Sequence, residues 1–228
     1  MKRLLIIGGK ILVVGTLLTG FTNRVNAAAT LTLYDGVNPL ITVVDNGPAD
    51  QNGATGGILL TTNVGVWNLT ISSAVTKPLF GSTTQPVMDL GITANSTAAG
   101  SLRAVFSDSD FGPANGLLEA SITGHIISGG PANVTYDVYG DPANVVGATT
   151  VHIASAGTTP LPTSATGSGM LALPTPFSLT QVQTIDAFGP TFFNTDASFQ
   201  VVPEPSVMGL GALGLAVFAL GRPRRKQA

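Results

Sequence analysis

Reactive side chains are scarce in this sequence. Cysteine is absent, which removes disulfides, thiolate metal sites and a cysteine nucleophile. His125 and His152 are the only histidines, each in a strand-like run with apolar neighbours. A Ser-His-Asp triad needs one of them beside a serine held in a strained turn. No Gly-Xaa-Ser-Xaa-Gly elbow exists, and Gly167-Ser168-Gly169 falls in a stretch that reads as loop. Two histidines without cysteine also leave zinc short of ligands. Carboxylates remain. Asp45, Asp50 and Asn52 form one oxygen-rich cluster and Asp108 and Asp110 a second, the chemistry Ca²⁺ takes with its roughly six to eight oxygens. Neither has the Asp-Xaa-Asp-Xaa-Asp-Gly spacing, and ordinary turn chemistry, with each side chain bonding its own backbone, accounts for both clusters without a metal. Glycoside cleavage needs two carboxylates about 5 to 9 Å apart. Glu119 and Asp137 lie in strand-like runs and are the candidate pair, but no motif accompanies them. No catalytic residue is assigned, and neither a metal nor a cofactor is expected.

Aromatic side chains could serve sugar binding by stacking, but Trp67 is the single tryptophan. It shares one face of a strand pattern with Leu69 and Ile71, which makes it a core residue. Tyr139 alternates away from Tyr136 and is the better candidate for an exposed contact.

The elements that must position these groups are strands. Gly 28 and Pro 15 in 228 residues disfavour long helices, and no helical periodicity is sustained. Runs rich in Val, Ile, Thr, Phe and Tyr recur at 31–34, 40–44, 58–62, 66–72, 88–94, 102–106, 118–128, 134–139, 150–154, 179–185 and 192–201. Several alternate cleanly, Val134, Tyr136 and Val138 on one side against Thr135, Asp137 and Tyr139 on the other. One-sided patterning predicts two sheets packed face to face, an all-β antiparallel sandwich of immunoglobulin-like or jelly-roll-like type. Asp35-Gly36 reads as a hairpin turn, and residues 45–57 and 158–176 read as the longest loops.

Charge is segregated along the chain. Eight of the ten cations lie at the ends: Lys2, Arg3, Lys10 and Arg24, then Arg222, Arg224, Arg225 and Lys226. The interior holds Lys77 and Arg103 against all twelve acids. Such a field repels phosphate backbones and argues against nucleic-acid binding.

Both ends read as export devices. Lys2 and Arg3, the apolar stretch 11–21 and Val25-Asn26-Ala27 fit a secretory signal over 1–27, cut between Ala27 and Ala28, with the Sec translocon and signal peptidase as partners. Residues 207–221 carry no charge and would form a helix of about 22 Å, just able to cross a bilayer core transiently. The cations Arg222, Arg224, Arg225 and Lys226 would hold that helix end in the cytoplasm, leaving residues 28–201, a single domain, outside.

Upstream of this run stands Pro203-Glu204-Pro205. A Pro-Glu-Pro motif, a glycine-bearing apolar run and a terminal arginine cluster, in that order over 202–228, strongly resemble the PEP-CTERM sorting signal. That resemblance implies export by a Gram-negative bacterium that makes exopolysaccharide. It also implies recognition and removal of the tail by exosortase. Two prolines around one residue keep the segment extended, as a protease cleft requires. The body resembles, at 41–52, 106–111 and 177–182, a recurring type of PEP-CTERM protein with no established activity. The expectation is a non-enzymatic surface or extracellular-matrix protein associated with exopolysaccharide or biofilm. A secreted carbohydrate-binding module is the alternative, and a glycoside-acting enzyme a more distant one.

Overall fold

The computed structural model describes residues 29–203, which form twelve strands and no helix. The expected signal segment, Ala27 and Ala28, Glu204 and Pro205, the helix over 207–221 and the basic cluster lie outside the described residues. Among the described residues no helix is long and apolar enough to cross a membrane.

The strands are β1 (Thr30–Tyr34), β2 (Ile41–Val44), β3 (Leu60–Val64), β4 (Trp67–Val75), β5 (Val87–Ser96) and β6 (Gly100–Phe111), followed by β7 (Asn115–Gly129), β8 (Ala132–Asp141), β9 (Val151–Pro160), β10 (Thr163–Ala172), β11 (Phe177–Ala187) and β12 (Thr191–Pro203). They make two six-stranded sheets, β2-β1-β6-β11-β8-β9 and β10-β7-β12-β5-β4-β3, in which every neighbouring pair is antiparallel. Within β5 to β12 the partners nest: β8 with β9, β7 with β10, β6 with β11 and β5 with β12. A long hairpin rolled into two sheets has this order, so the sandwich is a jelly roll rather than immunoglobulin-like. β1 and β2 widen the first sheet, and β4 and β3 the second.

Between the sheets lies one apolar core. Trp67, fully buried as its alternation predicted, meets the Phe193 ring edge-on at 6.0 Å, and its Nε1–H donates to the Ser101 carbonyl at 3.2 Å. The core also holds a polar thread. The Tyr136 hydroxyl, pushed well above its usual range by burial, donates to Gln181 Oε1 at 2.9 Å. Gln183 bridges the layers, donating to the Leu90 carbonyl and accepting from the Thr195 hydroxyl. Because buried amide groups are costly to leave unpaired, the two bonds of Gln183 fix how one sheet sits on the other, while the Tyr136–Gln181 bond ties β8 to β11 within the first sheet.

The stretch 158–176 is not the long loop expected. It contains the end of β9 and all of β10, and Gly167-Ser168-Gly169 is strand. Its small Ser, Thr, Gly and Ala side chains hide the pattern. The reason is steric: β9 and β10, edges of different sheets, close one side of the sandwich with their backbones nearly touching. A Cβ at Gly167 would overlap the Ser155 carbonyl oxygen, and one at Gly169 the Ile153 carbonyl oxygen. The 30–44 hairpin forms as expected, with Gly36 at φ +84° and the Asp35 carboxylate accepting from the Val37 and Asn38 amides.

Candidate functional site

Alternation leaves the outer face of the second sheet polar across four strands. β7 presents Glu119, Ser121, Thr123 and His125; β12 presents Asn194, Asp196, Ser198 and Gln200. β5 adds Asp89, Thr93 and Asn95, and β10 adds Thr166 and Ser168. Two adjoining depressions of about 580 and 700 Å³ lie on this face and share Asp89. The first is walled by Ser72, Ser73, Thr93, Thr123, His125, Asn194 and Asp196. The second runs past Glu119, Ser121, Ser198 and Gln200 to Phe80, Val87 and Leu117.

A bulge makes room for the first depression. The register of β4 against β5 slips between Ile71 and Ser73, which brings two serine hydroxyls over Gly91. A Cβ at Gly91 would lie 2.7 Å from Ser73 Oγ and 2.8 Å from Ser72 Oγ, so only glycine leaves the floor open. Ser73 Oγ accepts from the Gly91 amide at 3.0 Å and donates to Asp89 Oδ1.

Asp89 and Asp196 approach each other across β5 and β12, where Gly91 pairs with Asp196 and Asp89 with Ser198. Burial pushes the Asp89 carboxyl up to about 6, opposed by the Ser73 hydroxyl and reinforced by the charge of Asp196 and a hydrogen bond shared with it. Asp89 is therefore ionised near neutral pH and takes up its proton as pH falls to about 6. Glu119 lies in the second depression, with Gln200 Nε2 donating to it at 3.4 Å. The groove thus offers hydroxyls, amides and carboxylates at strand spacing, about 4.8 Å. Phe80 is its one exposed aromatic wall among the described residues.

The other candidates are dispersed. Asp137 lies on the outer face of the first sheet, 3.2 Å from His152 Nε2, while Glu119 lies on the second, so no one cleft holds both carboxylates. His152 also meets the Tyr139 ring at 5.1 Å on that outer face. His125 is exposed at the rim of the first depression. In the 45–57 loop, Asp45 accepts from the Gly56 amide, Asp50 from the Asn46, Asn52 and Leu59 amides, and Asn52 from the Ala54 amide.

Asp108 and Asp110 diverge. Asp108 is buried against Lys77 Nζ at 2.6 Å, Thr76 Oγ1 at 2.9 Å and the Ser109 amide. Asp110, at φ 57°, pairs with Asn144. Among the described residues no group of three or more His, Asp or Glu could hold a metal ion. Burial pushes the Asp108 carboxyl above its usual range, and the Lys77 ammonium offsets this only in part. Lys77 lies 4.2 Å from the Phe111 ring centroid and also donates to the Ser109 carbonyl. That clamp ties the start of the 76–86 loop, which carries Phe80 to the groove, onto the end of β6.

Asp89 and Asp196 are not among the site residues expected from the sequence. Their signal was the polar alternation of three separate strands, which becomes one surface only when β7, β12 and β5 are set side by side.

No protein-family model matches the chain, and no curated protein matches it. Among solved structures, the enzymatically active domain of bacteriophage CBA120 tailspike protein 4 overlaps 64% of this chain, at 10% identity and a TM-score of 0.35, and this chain spans 19% of that one. A carbohydrate-binding module of the β-sandwich superfamily overlaps 75% of this chain and 82% of its own, at 12% identity and a TM-score of 0.35. The CBM22-1 xylan-binding domain of Paenibacillus barcinonensis Xyn10C overlaps 66% and 88%, at 12% identity and a TM-score of 0.33. Overlap this loose carries no residue, ligand or activity to the present chain, which stands as an all-β sandwich with a polar groove.

Proposed function

We propose that this chain is an exported, non-enzymatic β-sandwich that binds polysaccharide along the outer face of its second sheet. The observation that supports this reading is the groove itself: hydroxyl, amide and carboxylate groups from β4, β5, β7 and β12 around a glycine floor. Such a surface matches the donors and acceptors of a hydroxyl-rich polymer. With little aromatic stacking, each sugar contributes hydrogen bonds that largely replace bonds to water, so affinity per site is modest and repeated sites along a polymer matter. Asp89, Asp196 and Glu119 make the groove acidic, which favours neutral or amino sugars over uronic acids.

Delivery is assigned to the two ends of the chain. The signal over 1–27 exports the chain, residues 207–221 hold it in the inner membrane, and exosortase processes the tail at Pro203, Glu204 and Pro205. The mature body then reaches the cell surface or the surrounding exopolysaccharide matrix.

The test is affinity electrophoresis of residues 28–203 in gels containing neutral, amino-sugar or uronic-acid polysaccharides. Retardation by a neutral or amino-sugar polymer, lost in Asn194→Ala and Asp196→Ala while urea stability is kept, is the expected result. No retardation by any polymer overturns the binding reading. Hydrolysis of a retained polymer, abolished by Glu119→Gln, overturns the non-enzymatic one.

A further inference from the structure

Ala29, where the described chain begins, and Val202, near its close, lie at the same end of the sandwich. Ala29 accepts from the Asp45 amide beside the Thr76–Gly56 contact, and β12 runs out alongside the start of β7. Exposed apolar side chains gather at this end. Leu117 of β7 pairs in register with Met170 of β10 on one side and Val202 of β12 on the other, so three exposed side chains form one row across three strands. Leu79 and Phe80, carried by the loop that Lys77 clamps, extend the row at its edge, and Val145 projects from the β8–β9 loop. Of thirteen exposed large hydrophobic residues among those described, eight lie at this end and five toward the other.

We propose that this apolar end is a membrane-contact surface, resting at the lipid–water interface of the bilayer that holds residues 207–221. The inference rests on the reading of that run as a span. Only Pro203 to Ser206 separate Val202 from the apolar run, and four extended residues reach at most about 14 Å. Two prolines stiffen that link. A tether this short keeps the Met170–Leu117–Val202 row within reach of the interfacial zone, where burying exposed apolar area is favourable. The second depression, walled at this end by Leu117 and Phe80, then borders the interface, and the first, with Thr93, His125 and Asn194, lies farther from the lipid.

The absence of native cysteine allows single-site labelling. Full-length chain would be reconstituted in phosphatidylcholine vesicles with an environment-sensitive fluorophore at Met170→Cys, Asn68→Cys or Ala216→Cys. Asn68 lies at the level of Phe192, about 33 Å along the strands from Val202. Lipid-borne nitroxide is expected to quench the Ala216→Cys and Met170→Cys labels, several-fold more strongly than the Asn68→Cys label. Quenching at Ala216→Cys alone overturns the contact surface and leaves the span reading intact. Quenching at none of the three overturns both. A Met170→Cys emission shift that depends on protein concentration and not on lipid assigns the row to contact between copies and also overturns the proposal.

Discussion

Replacing Lys77 by Met isolates the electrostatics that anchor the groove's loop. The Lys77 side chain is 11% exposed and that of Asp108 is 1% exposed, with 2.6 Å between Nζ and Oδ2. Methionine keeps much of the stem's packing over Phe111 but leaves Asp108 with only the Thr76 hydroxyl and Ser109 amide as donors. Removing one partner of a buried pair costs about 3–5 kcal/mol. For a domain of this size that is a fall in Tm of about 6–20 °C. Replacing both partners by apolar groups removes the stranded charge, so Lys77→Met/Asp108→Leu should recover most of the loss. The pH dependence has a definite sign. Without Lys77 the folded-state pKa of Asp108 rises further above its unfolded value, so the folded form holds its proton to higher pH. The cost of Lys77→Met is therefore smallest below the unfolded carboxylate range and grows as pH rises toward the raised folded value. Urea unfolding followed by the emission of Trp67, the single tryptophan and fully buried, measures all three quantities. A Lys77→Met cost below about 1 kcal/mol, or a double variant that loses as much as the single, would refute the reasoning.

Three further outcomes are expected. Gly169→Ala, whose Cβ meets the Ile153 carbonyl oxygen, should cost several kcal/mol, while Gly53→Ala, with open space around it, should stay within about 0.5 kcal/mol by thermal unfolding. Asp89, raised to about 6, binds its proton more tightly folded than unfolded, so its contribution is present at low pH and lost as pH rises from about 4 to 6. Asp89→Asn should then stabilise at pH 7 relative to pH 4 by about 1 kcal/mol after discounting for solvent screening, read from paired urea melts. A chelator should leave Tm unchanged, because backbone amides already occupy oxygens of Asp45, Asp50 and Asn52; a fall in Tm restored by Ca²⁺ would show otherwise.

Much of the architecture was legible because one-sided strands declare themselves. Val134, Tyr136 and Val138, or Trp67, Leu69 and Ile71, are buried as their alternation requires. β10 was not legible, since a strand whose inner side needs hydrogens in place of side chains carries no apolar period. The nested pairing was hidden for a different reason: β5 meets β12 across about a hundred residues, and register is set by the packed core, not by any local turn. The groove shared that fate. Asp89 and Asp196 become neighbours only through sheet order, whereas Glu119 and Asp137, closer in sequence, face opposite directions.

The close approach of β9 and β10 reverses the usual guide to where a chain tolerates editing. A Gly-Ser-Gly stretch ordinarily invites an epitope tag, a protease site or a deletion, yet here bulk added at residue 167 or 169 would pry apart the closed side of the roll. At residue 53, by contrast, open space surrounds the position and added bulk meets no backbone. The blandest-looking residues are the ones that define the molecule's shape most narrowly.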